Sequence, residues 1–199
     1  MAEKTLKILF VGNSYTYYNQ MPEDIFTKLA EKSGYNVTVT SVTHGGYRLC
    51  QFSSLEDEEG KRLRKVISGV HYDYAVLQEQ SINPILNEAE FCRGVSDLMN
   101  LISADKFILY ATWGRNDGSP TLSELGLTRE EMTEKLSAAY NVVGKKLGAG
   151  VAEVGKAFLE HSKAHDKDEL YDSDKSHPSA LGSEIAARVI FEKMEVTMI

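Results

Sequence analysis

The sequence lacks several features that would each indicate a particular class of protein. No apolar run reaches the roughly 18–20 residues that a membrane-spanning helix needs, so an integral membrane protein is excluded. Lys and Arg number 22 against 29 Asp and Glu, and the net charge of −7 argues against binding to a nucleic-acid backbone. Only two cysteines are present, Cys50 and Cys92, and neither belongs to a CxxC pair or a metal-spaced cluster. We therefore predict two free thiols.

The N-terminus also lacks the pattern of a secretion signal. Residues 1–5 read MAEKT and lead into a short apolar run at 6–11. A signal peptide needs a basic start, a longer apolar stretch and a small-residue cleavage site. We therefore expect a cytoplasmic protein. A chain of 199 residues suits one compact core, so residues 1–199 are predicted to form a single domain.

What the sequence does contain is an alternation of short apolar runs with amphipathic segments, which is typical of an α/β layer fold. Strands are expected at residues 7–11, 37–42, 74–77, 107–111 and 151–154, and helices at 22–34, 55–70, 87–103, 128–148 and 178–192. Two longer loops are expected at 114–127 and 162–176. Right-handed crossovers then predict a three-layer α/β/α domain with a five-stranded parallel sheet in the flavodoxin-like order 2-1-3-4-5.

Polar and reactive residues gather where these strands end. In a parallel sheet the carboxyl ends of the strands share one edge, where ligands bind. The segments at that edge are Gly12-Asn13-Ser14-Tyr15-Thr16, His44-Gly45-Gly46, Gln78-Glu79-Gln80-Ser81, Trp113-Gly114-Arg115-Asn116 and, before the last helix, Asp174-Lys175-Ser176-His177-Pro178.

Ser14 and His177 together indicate nucleophilic catalysis. Taken alone, Ser14 could be a helix cap and His177 a loop histidine. A serine hydroxyl becomes a nucleophile when a histidine accepts its proton and an acid orients that histidine. Asp174 precedes His177 by three residues, a spacing that can place the carboxylate on the imidazole. Asp172 is the alternative acid.

The same residues carry a resemblance to a family. Gly12-Asn13-Ser14-Tyr15-Thr16 resembles the nucleophile block of the SGNH (GDSL-like) hydrolases, and Asp174-x-x-His177-Pro178-Ser179-x-x-Gly182 resembles the block that supplies acid and base. Gly45-Gly46 matches the glycine block, with Gly46 favoured. The third block departs from the usual Gly-x-Asn-Asp and reads Leu77-Gln78-Glu79-Gln80-Ser81. This resembles the branches, some carbohydrate esterases among them, that carry a Gln-containing stretch there.

The resemblance implies a serine esterase that acts through an acyl-serine intermediate. Ser14 would be the nucleophile, His177 the base and Asp174 the acid. The oxyanion hole would comprise the amides of Ser14 and Gly46 and a glutamine side chain, Gln78 first and Gln80 as the alternative. Both glutamines could instead only cap the sheet edge. No metal or organic cofactor is implied. The expected substrate is a small-molecule or carbohydrate ester with a short acyl group, acetyl by analogy. We expect no nucleic-acid or membrane partner, and the sequence does not predict the oligomeric state.

Several residues near these blocks are candidates for substrate binding: Asn13, Tyr15, His44, Trp113 and Arg115. An indole face suits stacking on a sugar, although Trp113 could equally pack under the loop that follows it. A guanidinium suits a carboxylate or sulfate.

Other interpretations explain less of the sequence. His161 and His165 have the i, i+4 spacing of metal ligands, but no further ligand motif accompanies them, so we predict a solvated helix end. A nucleotide- or phosphate-binding flavodoxin-like domain would use residues 12–16 as an anion loop. It would leave the Asp174–His177 pair unexplained, and the chain has neither a P-loop lysine nor GxGxxG. A catalytically inert SGNH-like binding module would not need Ser14, Asp174 and His177 intact.

Overall fold

A computed structural model describes residues 5–198, with the backbone alone described for 196–198. Its centre is one sheet of five parallel strands in the order β2-β1-β3-β4-β5, which confirms the predicted fold and strand order. The strands are β1 Leu6–Gly12, β2 Val37–Thr43, β3 Tyr72–Leu77, β4 Ala104–Ala111 and β5 Gly150–Glu153. Several begin before the predicted residue, because the apolar pattern marks only the buried part of a strand. In β4 the first four residues are at most half-buried and the last four are buried.

Helices cover both faces of the sheet. They are α1 Ser14–Tyr17, α2 Thr27–Lys32, α3 Leu49–Ser53, α4 Glu58–Ile67, α5 Asn83–Leu86, α6 Glu88–Leu101, α7 Pro120–Leu125, α8 Arg129–Leu147, α9 Val154–His161 and α10 Ala180–Met198. Two short 3₁₀ segments lie at Tyr18–Gln20 and Lys167–Leu170, and a π-helical segment lies at Met21–Phe26.

Several segments differ from the sequence-based expectation. The short helices α1, α3 and α5 were not expected, nor was the 3₁₀ segment at Lys167–Leu170 within the loop expected at 162–176. The helix expected at 22–34 is split into the π-helical segment and α2. The loop expected at 114–127 contains α7, which begins at Pro120 and buries Leu122 in a small cluster with Met132 and Leu136 of α8. A helix end was expected at His161 and His165, but the extent of α9 was not, because α9 begins at Val154, directly after β5 and with no loop between them.

The core has two halves, one on each side of the sheet. Successive residues of a strand point to opposite faces, so Phe10 packs with α9 and α10 while Val11 packs with α3, α4 and α6. Burial on both faces explains why the strands read as continuous apolar runs. Each fully buried aliphatic or aromatic side chain stabilises the fold by about 1.5–3 kcal/mol relative to exposure.

Close backbone packing places the start of α10 beneath the site. A Cβ at Gly182 would lie 2.4 Å from the Leu170 carbonyl oxygen, so only glycine allows α10 to approach the 3₁₀ segment this closely. This approach fixes the loop at 171–179, which carries Asp174 and His177.

Two further expectations concern the cysteines and membranes. Cys50 and Cys92 are free and half-buried, as predicted. Among residues 5–198, no helix has both the length and the apolar character required to cross a bilayer. Because residues 1–4 and 199 lie outside the described residues, the single-domain assignment over 1–199 stays a prediction.

Candidate active site

Ser14 lies at the sharp turn between β1 and α1. A Cβ at Gly12 would come within 2.5 Å of the Thr16 hydroxyl, so the tight turn requires glycine there. Asn13 caps α1, its Oδ1 accepting a hydrogen bond from the Tyr15 amide at 3.1 Å. Its Nδ2 donates to the Tyr47 carbonyl at 3.1 Å. Ser14 is thereby held at the carboxyl edge of the sheet, half-buried, with neighbouring residues fixed on both sides.

The amides after Ser14 are already used within the turn. The Thr16 and Tyr17 amides donate to the Asn13 carbonyl at 2.9 and 3.3 Å, and the Tyr15 amide donates to the Asn13 side chain. A phosphate-binding loop needs several such amides directed at its ligand. The geometry here therefore favours presentation of a serine hydroxyl over binding of an anion.

His177 connects Ser14 to Asp174. Its Nε2 lies 2.8 Å from Ser14 Oγ, and its Nδ1 contacts Asp174 Oδ2. The other carboxylate oxygen of Asp174 accepts the backbone amides of Ser176 and His177, both at 2.9 Å. Asp172, the alternative acid, bonds instead to the amide and hydroxyl of Ser173. The structure thus brings together the three residues that the sequence singled out, Ser14, His177 and Asp174.

The environment of Asp174 keeps it ionised. Partial burial would raise the pKa of its carboxyl, but hydrogen bonds from the His177 side chain and from the His177 and Ser176 amides outweigh this and lower the pKa below its ordinary value. Asp174 can therefore hold His177 in one tautomer and stabilise a positive charge on its ring.

Two tyrosines fix the plane of the His177 ring. Tyr18 stacks on it with ring centroids 4.2 Å apart and planes at 12°, and Tyr15 contacts it edge-on at 5.5 Å. The Tyr15 hydroxyl bonds to Ser176 Oγ at 2.7 Å. Both tyrosines are within four residues of Ser14 in the sequence. Their contact with His177 joins residues far apart in the chain.

Trp113 anchors the loop that carries Asp174 and His177, and the prediction that it contacts substrate is wrong. Its side chain has no exposed surface, because it is stacked between Tyr15 at 4.8 Å and Phe158 at 4.4 Å. The indole N–H donates to the Ser176 carbonyl at 3.1 Å. A ring buried in this way has no face available to a sugar, so its role is to hold the loop in place.

An open cavity of about 600 Å³ lies over Ser14 and His177. Its lining comprises Asn13, Ser14, Tyr15, Tyr17, Tyr18, Gly45, Gly46, Gln80, Ser81, Arg115, Asp174, Ser176 and His177. Gly46 has a positive φ of 75°, which a residue with a side chain rarely adopts. Within residues 5–198, no hydrogen bond uses the amide N–H of Ser14 or of Gly46. Both amides are therefore candidates to donate a hydrogen bond to an oxygen of the substrate.

Gln78 does not line this cavity, and the structure contradicts its choice as the oxyanion donor. It is fully buried beneath α1, where its Oε1 accepts the Asn13 amide and the Thr16 hydroxyl, both at 2.9 Å. Its amide nitrogen donates to the Glu79 carbonyl. The side chain therefore holds the nucleophile turn from below.

Gln80, the alternative, does line the cavity. Its Oε1 accepts the amides of Ile82 and Asn83, both at 3.0 Å, which identifies the oxygen and directs the amide nitrogen away from them. No hydrogen bond in the described part of the chain uses that nitrogen. Gln80 thus offers the amide donor that the third block was expected to supply.

Between the two glutamines lies Glu79, which sequence reasoning missed as a member of the site. It has no exposed surface, and burial raises the pKa of its carboxyl to about 7 although the amides of Gln80 and Leu49 bond to it. The Gln80 amide lies 2.6 Å from Glu79 Oε1. Glu79 therefore fixes the backbone of Gln80 from the side opposite the cavity.

The remaining substrate-binding candidates have different positions. Asn13 and Tyr15 line the cavity, but their polar atoms are bonded within the protein. His44 is exposed outside the lining, packed on Tyr47 with ring centroids 4.0 Å apart and with its Nδ1 3.4 Å from Glu59. Arg115 lines the cavity directly.

The His161–His165 pair forms no metal site with other residues of the described chain. The two rings stack at 4.4 Å at the end of α9, and His161 Nε2 lies 3.8 Å from Glu169. Across residues 5–198, no group of three or more His, Cys, Asp or Glu side chains is arranged to hold a metal ion.

Comparison with known proteins identifies the family. A scan against protein-family models finds no match, and a search of curated proteins finds none. Among solved structures, a protein of Slackia heliotrinireducens classed as an SGNH hydrolase has a TM-score of 0.81 and 30% identity, over 96% of this chain and 100% of that one. A lipase/acylhydrolase of Enterococcus faecalis has a TM-score of 0.73 and 19% identity, over 96% of each chain. An acetylxylan esterase of Geobacillus stearothermophilus has a TM-score of 0.67 and 16% identity, over 95% of this chain and 94% of that one. The last two share the fold, and the first, alike in sequence over its whole length, shows that the chain belongs to the SGNH hydrolase superfamily.

Proposed function

We propose that this protein is a serine esterase that hydrolyses a short-chain acyl ester through an acyl-serine intermediate. The observation that carries the proposal is the 2.8 Å approach of His177 Nε2 to Ser14 Oγ on the wall of an open cavity, with Asp174 on the other ring nitrogen. A hydroxyl, an imidazole and a carboxylate in this order are the groups that acyl transfer to serine requires.

In the first half of the reaction Ser14 Oγ attacks the ester carbonyl carbon while His177 Nε2 accepts the hydroxyl proton. The carbonyl π electrons move to oxygen and give a tetrahedral oxyanion. When the oxyanion collapses, the bond to the alcohol oxygen breaks, and the alcohol leaves with the proton from His177. Ser14 is left as an acyl ester. Asp174 stays ionised and balances the charge on His177 throughout.

In the second half water takes the place of the alcohol. His177 accepts a proton from water, whose oxygen attacks the acyl-serine carbonyl. Collapse of the second tetrahedral intermediate returns the proton to Ser14 Oγ and releases the carboxylic acid. The amides of Ser14 and Gly46 and the side-chain nitrogen of Gln80 are the proposed donors to both oxyanions. One such donor contributes about 2.7–4 kcal/mol to lowering the barrier.

An acetyl ester of a carbohydrate is the substrate that we propose. The cavity is open, and its wall combines hydroxyl, amide and charged groups with tyrosine rings, a mixture that suits a hydrated alcohol such as a sugar. The acetylxylan esterase that shares the fold is a parallel case. Two catalytic mutants of that esterase replace an aspartate and a histidine three residues apart, the spacing of Asp174 and His177.

Hydrolysis of p-nitrophenyl acetate tests the reaction class. We expect turnover by the wild type, loss of turnover in Ser14→Ala, and normal turnover in Ser33→Ala, which removes a hydroxyl from the exposed end of α2. A fluorophosphonate probe followed by peptide mass spectrometry should label Ser14. Label on another serine, or equal turnover by wild type and Ser14→Ala, would refute the esterase proposal.

The preference for acyl chain length and the preference for the alcohol are tested in separate experiments. We expect kcat/KM to fall from p-nitrophenyl acetate to butyrate to octanoate, and acetate to be released from acetylated xylo-oligosaccharides in a Ser14-dependent manner. A maximum at octanoate, or no release from any acetylated sugar, would contradict the proposed substrate while leaving the esterase chemistry intact.

A further inference from the structure

The cavity wall carries a cation that has no acidic partner. Arg115 follows β4 and is half-buried beside the cavity. Its Nη2 donates to Ser81 Oγ at 3.1 Å, while its Nε is buried and has no hydrogen-bond partner. None of the ion pairs among the described residues includes Arg115. Among the described residues, no carboxylate therefore lies within ion-pair distance of Arg115.

Other arginines with limited exposure are better satisfied. Arg129, with a side chain only 8% exposed, is paired with Glu130 at 2.6 Å and bonded to Ser162. Arg64 donates to three backbone carbonyls at the start of α4 and the end of α3. Removing a charge from water without a counter-charge is costly. Arg115 bears that cost on the wall of the cavity, where a bound molecule could offset it.

Arg115 lines the same cavity as the groups that are proposed to react, Ser14 and His177. Ser81, the hydrogen-bond partner of Arg115, directly follows Gln80 in the sequence, and all three residues line this cavity. Asp174 lines the same cavity, but both of its oxygens are occupied by His177 and Ser176. A molecule with its ester carbonyl at Ser14 would thus meet a positive group and no free carboxylate.

We propose that the natural substrate carries a carboxylate that binds Arg115, so that the enzyme acts on an acylated acid such as an O-acetylated sugar acid or hydroxy acid. A guanidinium matches a carboxylate in shape as well as charge. The net charge of −7 disfavours a long acidic polymer, so we restrict the inference to a small molecule with one carboxylate. The inference rests on the esterase function and specifies its substrate class.

The test compares a charged ester with a neutral one of similar shape. 4-Acetoxybenzoate and its methyl ester place a carboxylate or a neutral ester on the alcohol side. The mono-4-methylumbelliferyl ester of adipic acid places a carboxylate at the end of the acyl chain, and 4-methylumbelliferyl hexanoate places an uncharged methyl group there. For each pair, the ratio of kcat/KM for the charged to the neutral substrate is measured in wild type, Arg115→Met and Arg115→Lys. Arg188→Met is the control, since it removes an exposed positive charge from α10.

We expect Arg115→Met to lower the ratio by about 10- to 100-fold in the alcohol-side pair, the size expected for losing a hydrogen bond between charged groups. A response in the acyl-side pair alone would place the carboxylate on the acyl group and would overturn the assignment of an acylated acid as substrate. Arg115→Lys should lower the ratio less, and Arg188→Met should leave it at the wild-type value. If Arg115→Met does not fold, Arg115→Lys and Arg115→Gln are compared in its place.

A binding measurement separates recognition from chemistry. In the Ser14→Ala background, 4-hydroxybenzoate should bind more tightly than methyl 4-hydroxybenzoate, and adding the Arg115 substitution should remove that preference. Ratios that stay at the wild-type value in both pairs, with Ser14-dependent hydrolysis of the neutral esters intact, would overturn the inference and leave the esterase function standing. Absence of Ser14-dependent hydrolysis of all four esters would overturn both.

Discussion

Replacing the buried Glu79 by Gln should alter how the stability of the protein depends on pH. Glu79 ends in a pocket closed by α3, α6 and α8, where the Leu49 and Gln80 amides donate to it. The titratable groups around it are Glu90, Cys50, Arg48 and the Tyr140 phenol. Glu90 adds repulsion to the cost of burial, and together they raise the pKa of Glu79 from 4.5 to about 7.

The sign and size of the effect follow from proton linkage. Between pH 4.5 and 7 the folded protein holds a proton on Glu79 that the unfolded chain has released, so the free energy of unfolding falls as pH rises through this window. The two values differ by 7 − 4.5 = 2.5. At about 1.36 kcal/mol for each pH unit, the wild type loses up to about 3 kcal/mol by pH 8. Gln cannot ionise, so Glu79→Gln should not show this loss.

Urea unfolding of wild type and Glu79→Gln at pH 5, 6, 7 and 8, followed by circular dichroism, measures the difference. Titration of all other groups is common to both proteins and cancels in the comparison. The control is Glu58→Gln, because the Glu58 side chain is 86% exposed and should change the curve little. Parallel curves for wild type and Glu79→Gln from pH 5 to pH 8 would show that the Glu79 carboxyl is not held protonated by burial.

Four further substitutions separate the roles of the site residues. Gln80→Ala should lower kcat for p-nitrophenyl acetate by about 10²- to 10³-fold and cost about 0.5–2 kcal/mol of stability, because the amides of Ile82 and Asn83 lose a side-chain acceptor. Gln78→Ala should cost about 1–3 kcal/mol of stability, because two buried donors lose their acceptor, and should lower kcat less than Gln80→Ala does. An equal loss of kcat in the two variants would contradict this division. Asp174→Asn should lower kcat by about 10⁴-fold, and a loss below tenfold would place the acid elsewhere. Trp113→Phe should destabilise the protein by about 1–3 kcal/mol, measured by urea unfolding, since the Ser176 carbonyl loses a buried donor; an unchanged stability would show that the loop is held by other contacts.

Much of the fold and the central part of the site could be predicted because their signals are local. The apolar runs mark the buried cores of the strands, and Thr128 with Glu131 marks the start of α8 by a capping box that the structure shows. Asp174 and His177 are three residues apart in one turn of loop, so their contact depends on few neighbouring dihedral angles. Ser14 reaches them because the fold brings its two ends to the same edge of the sheet.

The oxyanion glutamine could not be chosen from the sequence, because the choice depends on side-chain direction at the end of β3. The Gln78 amide still donates to Val11 at 2.9 Å, so the strand pattern continues through it. Side chains alternate, and Gln78 therefore points to the same face as Val76, beneath α1. Gln80 lies beyond the last strand contact, in a turn that its own Oε1 stabilises.

By itself, the sequence determined the layer architecture, because periodicity is a property of the chain, and the Asp174–His177 pair, because three residues separate its members. The strand order followed from the rule for right-handed crossovers, and Ser14 from its place after the first strand and from the resemblance to a family. Only the tertiary structure decided that Trp113 holds a loop and Arg115 faces the cavity, although the two are separated by a single residue. It also placed Glu79 in a buried pocket between Gln78 and Gln80. These outcomes depend on which elements pack over each side chain, and burial of that kind is a property of contacts between distant parts of the chain.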